Sequence, residues 1–365
     1  MMRRLKVGIL GATGIVGQRF VTLLESHPWF EVVVLAASAN SAGKSYQEAI
    51  GGRWKLKEKI PQALKNMTVL AIERDIDKIY RPVDFVFSAF EADKETTKRI
   101  EEKYAQAGVA VVSNNSAHRW TLDVPMIIPE INAYHVKLID AQRKKRGWKK
   151  GLIVVKPNCS LQSYLPIIYA LSKFRPVYVE VTTLQAISGA GKTFSDWPEM
   201  VDNVIPFIGG EEEKTEKEPM KILGFLKDGY IKLADQPKIS ATCIRVAASD
   251  GHMASVSVKF KRKPTLAEII KSLHNLITSL DNLDLPSSPK RFIKYFTEED
   301  RPQTKLDRDF ENGMGITCGR FRENPHFDWK FIALSHNTIR GAAGGAILTA
   351  ELLYRKGYIE GKNNT

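Results

Sequence analysis

The stretch Leu5-Lys-Val-Gly-Ile-Leu-Gly11-Ala-Thr-Gly14-Ile-Val-Gly17 decides the fold. Its apolar opening reads as a strand that ends directly on a G-x-x-G-x-x-G turn. From Ile15 to Ser26 the sequence then carries Val16, Phe20, Leu23 and Leu24 on one helical face. Glycines at such a turn let the backbone bend tightly and approach a pyrophosphate, whose charge meets the helix N-terminus. The plain alternative is an ordinary strand-to-helix turn. Placement directly after the first strand favours the dinucleotide reading, with Gly11, Thr13, Gly14, Ile15 and Val16 as the contacts. A basic start followed by apolar residues also suits a signal peptide, but Gly8, Gly11 and Gly14 interrupt the apolar run.

Downstream, apolar runs alternate with helical patterns, as in a parallel sheet with crossover helices. VVVLAAS ending at Ser38, Val83 to Ser88, Val109 to Ser113, and LIVVKPN from Leu152 read as strands. Lys94 to Ala107 and the single run INAYHVKLIDAQRKKR read as helices. After Cys159 the grammar changes. VYVEVTTLQAIS from Val177 and MASVSVKF from Met253 suit a mixed or antiparallel sheet. GAAGGAILTAELLYRK, Gly341 to Lys356, reads as a helix whose small residues let it return to the first domain. The expected class is α/β: a Rossmann-type dinucleotide-binding domain over residues 1–156, completed by 338–365, and an α+β catalytic and oligomerisation domain with a mixed sheet over 157–337. There is no internal repeat.

With 365 residues, two domains are the default expectation. No run approaches the roughly 20 apolar residues that span a bilayer, so no membrane partner is expected. Cys159, Cys243 and Cys318 are too scattered for metal-ligand spacing and odd in number for a disulfide framework, which points to no metal and a reducing, cytoplasmic setting. The net charge of +13 admits nucleic acid, yet the densest basic run, Arg143 to Lys150, reads as a solvated helix end, and zinc-finger spacings and aromatic RNA-binding motifs are missing. A positive field also draws in anionic small molecules.

Strand two ends in Ala37-Ser38-Ala39-Asn40-Ser41-Ala42-Gly43-Lys44. An NAD site usually offers an acid there for the ribose 2′-hydroxyl. Here Ser38, Ser41 and Lys44 suit a 2′-phosphate, and the expected cofactor is NADP.

Cys159 lies in Lys-Pro-Asn-Cys-Ser, after a strand and before the amphipathic stretch SLQSYLPIIYALSKF. A helix starting near Ser160 aims its N-terminus at the sulfur and favours thiolate. A buried structural cysteine is the bland alternative. TTLQAISGAG (Thr182 to Gly191), RVAASDGH (Arg245 to His252) and SHNTIRGAAGG (Ser335 to Gly345) follow in order. With GATGIVGQRF, SAGK and RPQTKLDRD, these segments make the chain resemble the aspartate-semialdehyde dehydrogenase family, its fungal and archaeal branch in particular, from Gly8 to about residue 358.

The resemblance implies roles. Cys159 matches the nucleophile, Gln185 the glutamine beside it, and His252 the general acid/base. Arg245 matches the arginine that clamps the substrate carboxylate, and Arg119 and Asn158 match the phosphate-binding pair. In Glu-Pro-Met-Lys, Glu218 would meet the substrate amine and Lys221 the phosphate. Ser188, Gly189, Gly191 and Asn337 would lie near the nicotinamide. It also implies a homodimer or homotetramer and a small-molecule substrate with phosphate as partners. The chemistry agrees: arginine suits a planar carboxylate, an acid suits an ammonium, and a near-neutral base suits proton transfer at a thiohemiacetal. The run Ser160-Leu161-Gln162-Ser163 departs from the threonine and small residues usual there and bears on substrate choice. The alternatives are malonyl-CoA reductase, N-acetyl-glutamyl-phosphate reductase and, from another class, a non-catalytic NADP-binding regulator. An ordered Cys, Gln, Arg and His set speaks against the last.

Overall fold

The structure, a computed structural model, describes residues 4–362; residues 1–3 and 363–365, at the ends of the expected first domain, lie outside the described residues. Among the described residues the first sheet has six strands, β1 (Leu5–Leu10), β2 (Phe30–Ala37), β3 (Val69–Ala71), β4 (Phe85–Ser88), β5 (Ala110–Ser113) and β6 (Leu152–Val155). They run in the order β3-β2-β1-β4-β5-β6, every pair parallel. The winding reverses between β1 and β4, so a crevice opens at the carboxyl ends of these two strands. Gly11 stands there with φ +93°, and a side chain on it would sit 2.4 Å from the Ala89 carbonyl. Only glycine lets the two strand ends approach so closely.

Helix α1 (Ile15–Leu23) leaves the turn and buries Phe20, which stacks on Phe87 of β4 at 4.4 Å. The polar helix α2 (Lys94–Gln106) starts on Asp93, whose carboxylate caps the Thr96 N–H. The run expected as one helix from Ile131 to Arg146 is broken. A helical turn at Pro129–Asn132 passes into a 3₁₀ segment, and α3 (Leu138–Arg146) follows. At the break the Asn132 backbone leaves the helical region (φ −134°, ψ 37°) while its side chain accepts from Ile128 N and donates to Met126 O, tying the turn back to the preceding segment. Strand β3, only three residues long, carries no readable period and escaped the sequence reading.

The helix after Cys159, α4 (Leu161–Ala170), is not amphipathic in place. Every residue but Tyr169 is buried. Leu161, Leu165 and Ile168 share one core with Val111 and Ile153 of the first sheet and Val256 and Phe331 of the second. Its buried polar side chains find partners, Ser163 Oγ donating to Ser160 O and Tyr164 OH to Thr215 O, and truncating an apolar side chain such as Leu165 to alanine costs about 2–5 kcal/mol.

The second sheet has seven strands among the described residues: β7 (Pro176–Gln185), β8 (Val204–Ile205), β11 (Lys238–Val246), β12 (His252–Phe260), β13 (Ile293–Phe296), β14 (Ile316–Glu323) and β15 (Trp329–Ser335). A hairpin of β9 (Phe225–Lys227) and β10 (Tyr230–Lys232) stands apart. The order is β13-β14-β15-β12-β7-β11-β8. Two pairs, β13–β14 and β7–β11, are parallel and the rest antiparallel, so the sheet is mixed. Helix α5 (Glu211–Ile222) lies near the β11 edge. The chain then returns: after a π-helical turn at Ile339–Ala343, α6 (Gly344–Arg355) packs Ile347, Leu352 and Leu353 into the core that holds Val7, Ile9 and Val154 of the first sheet. No helix among the described residues is long and apolar enough to cross a membrane.

Candidate active site

Sheet register brings three distant residues into one row. Gln185 closes β7 and pairs with Arg245 of the parallel strand β11. On the other side of β7, antiparallel β12 begins at His252, beside the same strand end. All three side chains are buried. Arg245 donates Nη1 to the Ala186 carbonyl at 2.7 Å. His252 Nδ1 accepts the Ala186 N–H at 3.1 Å, and its Nε2 has no partner. Burial, then Arg245, pushes His252 down to about 3. The ring is therefore neutral, and with Nδ1 accepting, its proton sits on Nε2.

Cys159 comes from the first sheet, four residues past the end of β6 and two before α4. It is half-buried and free, and lines a cavity of about 300 Å³ with Asn158, Arg119, Ser188 and Glu211. A Cβ on Gly341 would lie 2.7 Å from Cys159 Cβ, so the π-helical turn rests on the nucleophile itself. The expected preference for thiolate is corrected here. Burial and then Glu211 push the thiol up to about 11, outweighing Arg119, Lys156 and Arg245. The free enzyme carries a thiol, because desolvation of a charged sulfur exceeds what one helix start returns.

A second correction concerns α5. Glu218 is fully buried and faces away from the cavity: its carboxylate accepts Arg119 Nη1 at 2.8 Å and the Asn158 backbone N–H at 2.7 Å. Lys221 donates to three carbonyls, Arg119 O at 2.7 Å, Val124 O at 2.9 Å and Thr121 O at 3.1 Å. With its donors taken up, the ammonium has nothing left for phosphate. Both residues brace the segment that carries Arg119 and Asn158. The groups of α5 that do line the cavity are Glu211 and Lys214, one to two turns earlier. Glu211 accepts from Asn158 Nδ2 at 2.9 Å and from Gln185 Nε2 at 3.4 Å, and pairs with Lys214 at 2.8 Å. Neither is legible in the sequence, where they lie inside an acidic run and nothing distinguishes an inward-facing glutamate from its solvated neighbours. Lys156, not legible there either, is buried beside Gly345 with its ammonium drawn well below the ordinary lysine range by burial and then Arg340.

The glycine loop fits a dinucleotide. Gly14 caps α1 with no side-chain bond, leaving the first N–H groups of the helix to a ligand. Gln18 holds the loop from below, donating to Thr13 O at 3.0 Å and Arg53 O at 2.9 Å, and Tyr46 OH donates to Ala12 O at 2.8 Å. Thr13, Ile15 and Val16 are partly exposed around it. At the end of β2, Ser38 and Lys44 are exposed and Ser41 is buried in a turn, donating its N–H to Ser38 O. A second cavity of about 380 Å³ is lined by Ile15 and Ser188, and Ser188 also lines the cavity at Cys159. Gly189 sits over the catalytic row: a Cβ there would lie 2.8 Å from Arg245 Nη1 and 3.0 Å from His252 Nε2. Gly191 ends this segment with φ +69°. Asn337 fixes it, donating to Ser188 Oγ at 2.8 Å and accepting Gly251 N at 2.8 Å.

A dinucleotide loop on a parallel sheet, facing a cysteine and a row of Gln, Arg and His from a mixed sheet, defines a thiol-dependent dehydrogenase. The sequence matches the family models described as semialdehyde dehydrogenase, NAD binding domain, over residues 6–139, and semialdehyde dehydrogenase, dimerisation domain, over residues 165–340. It is 43% identical to aspartate-semialdehyde dehydrogenase of Archaeoglobus fulgidus, covering 97% of this chain and 99% of that one, and 40% identical to the Saccharomyces cerevisiae enzyme of the same name, covering 96% and 98%. The crystal structure of aspartate semialdehyde dehydrogenase with NADP from Candida albicans superposes with a TM-score of 0.87 at 37% identity, over 98% of this chain and all of that one. A Vibrio cholerae structure at 24% identity, with a TM-score of 0.74, shows the shared fold alone. The chain belongs to the aspartate-semialdehyde dehydrogenase family.

Proposed function

We propose that the protein carries out the NADP-dependent reductive dephosphorylation of L-aspartyl-4-phosphate to L-aspartate-4-semialdehyde, a step of aspartate-family amino-acid biosynthesis that feeds lysine, methionine and threonine. The observation that carries the reading is the cavity at Cys159 beside a dinucleotide loop, whose Gly189 wall lies against Arg245 and His252 and whose Glu211 accepts from Gln185. Arg245 takes the substrate carboxylate as a planar fork. Glu211 receives the ammonium. Arg119 and Asn158, with Lys214, hold the phosphate. Cys159 attacks the acyl carbon; phosphate leaves with the thiol proton, and a thioester forms. NADPH, held by the glycine loop, Ser38, Ser41 and Lys44, supplies the hydride that reduces it. The Nε2–H of His252 donates to the oxygen as negative charge develops there, and collapse of the thiohemiacetal releases the aldehyde and restores the sulfur.

In this reading residues 1–156 with 338–365 bind the cofactor and 157–337 supply the catalytic row. The exposed face of the second sheet, with Tyr178, Glu180, Ser240, Thr242 and Ser255 open, supports assembly into a homodimer or homotetramer. The free cysteines suit a cytoplasmic setting.

The test is an NADP reduction assay that compares aspartate semialdehyde plus phosphate with malonate semialdehyde plus CoA. Phosphate-dependent turnover of the first is expected. Turnover of the second alone would make the protein a malonyl-CoA reductase, and no turnover of either would favour a binding protein.

A further inference from the structure

Beneath the cavity lies a buried acid that the proposed mechanism does not use. Glu101, on α2, is fully buried at the carboxyl ends of β4 and β5. Its Oε1 accepts three bonds, from Ser113 Oγ at 2.6 Å, Ser88 Oγ at 2.7 Å and Asn115 Nδ2 at 3.0 Å. Its Oε2 accepts none. Facing that oxygen at 4.0 Å is His118 Nε2, equally buried and equally without a partner, while the other ring nitrogen sits 3.0 Å from Thr121 Oγ1. A carboxylate oxygen without a donor in a dry interior costs free energy, and protonation of the acid removes most of that cost.

The donor pattern decides the charge state. A carboxylate here would meet three neutral donors on one oxygen and nothing on the other. A proton on Oε2 instead removes the buried charge and leaves Oε1 as the acceptor of all three bonds. Burial raises the Glu101 carboxyl against the pull of Ser113, Ser88 and Asn115, and burial draws His118 down to about 4. The other charged groups facing the pair are Glu102, Arg146 and Lys98, whose effects on His118 are smaller than that of burial.

We infer that Glu101 is held as a neutral acid and acts as a positioning residue, locking the 113–119 segment so that Arg119 presents a fixed guanidinium to the anionic phosphate end of the substrate. The inference rests on the proposed reading of that end. The segment is held at two points. Glu101 binds Ser113 and Asn115 near its start, and His118 precedes Arg119, whose carbonyl Lys221 grips from the opposite side. Asn114, Asn115, Ser116 and Arg119 all line the cavity that holds Cys159.

The experiment compares Glu101→Gln with Glu101→Leu. The glutamine amide reproduces the protonated acid, an acceptor toward the three donors and an N–H toward His118, so its KM for phosphate should stay within about twofold of the parent. The leucine leaves three donors unpaired, and the KM for phosphate should rise by about tenfold or more, with the KM for the semialdehyde little changed. Infrared difference spectra of the parent enzyme at neutral pH should show a protonated carboxyl band that Glu101→Gln removes; this readout holds even where the leucine variant fails to fold. Equal losses in both variants, an unchanged phosphate KM in Glu101→Leu, or no such band would each overturn the assignment. A parent enzyme without phosphate-dependent turnover, yet with the band present, would overturn the proposed substrate and leave the neutral Glu101 standing.

Discussion

His252 accepts the Ala186 backbone N–H on Nδ1 at 3.1 Å, which leaves the proton of its neutral ring on Nε2. The residue is thus set as a donor toward the reacting oxygen rather than as a base. His252→Phe should lower kcat about a hundredfold or more while NADP still binds. Because burial takes the ring to about 3, no loss of kcat/KM with an apparent pKa near 6.5 should trace to this residue. A limb there that vanishes in the variant would contradict the assignment.

Cys159 should be slow toward iodoacetamide at neutral pH. With the thiol pushed up to about 11, its alkylation rate should climb about tenfold per pH unit up to that value. Cys243 and Cys318, buried and raised by burial, should lag behind it. Removing the neighbouring cation with Arg119→Met should slow Cys159 further, and Cys159→Ser should bind NADP yet lose turnover. Rapid, pH-independent labelling between pH 6 and pH 9, roughly the working range of the assay, would show a preformed thiolate.

Arg245→Lys should lower kcat/KM for the semialdehyde at least about tenfold despite the retained charge, since an ammonium cannot both hold Ala186 O and fork onto a carboxylate. A lysine variant with parental kinetics would place the carboxylate elsewhere.

Lys44→Ala should weaken NADP and leave NAD nearly unchanged, because Ser38 and Lys44 stand exposed at the end of β2 with no carboxylate between them. Competitive binding of the two cofactors measures it. Equal affinity of the parent for both would refute the choice.

The fold should be acid-labile through its buried histidines. His118, His135 and His336 are drawn down to about 4 and His252 to about 3, all chiefly by burial. Below the unfolded value near 6.5 the unfolded chain binds more protons, so the stability these rings contribute is complete above that pH and is lost as pH falls toward about 4. The thermal midpoint should drop steadily across this window. His135→Gln, away from the cavity, should flatten the dependence; an identical slope in that variant would remove His135 from the account.

The catalytic types were legible because each motif is local. A strand ending on glycines at Gly11, and a cysteine between a strand and a helix, are patterns of a dozen residues. The brace formed by Glu218 and Lys221 was not, because an inward and an outward turn of the same helix share one composition. Nor was the break of the expected helix at Asn132, since a side chain that takes over backbone partners leaves no period to read.

By itself the sequence determined the parallel sheet, the mixed sheet, the returning last helix and the residue types of the chemistry, because periodicity and glycine placement act over short range. The tertiary structure alone decided which groups face the cavity and in what charge state. Glu211 rather than Glu218 reaches it, Cys159 rests as a thiol, and His252 rests with its proton on Nε2. Those outcomes depend on burial and on hydrogen-bond partners brought from 53 and 66 residues away, Glu211 to Asn158 and His252 to Ala186, and distances of that kind have no counterpart in the order of residues.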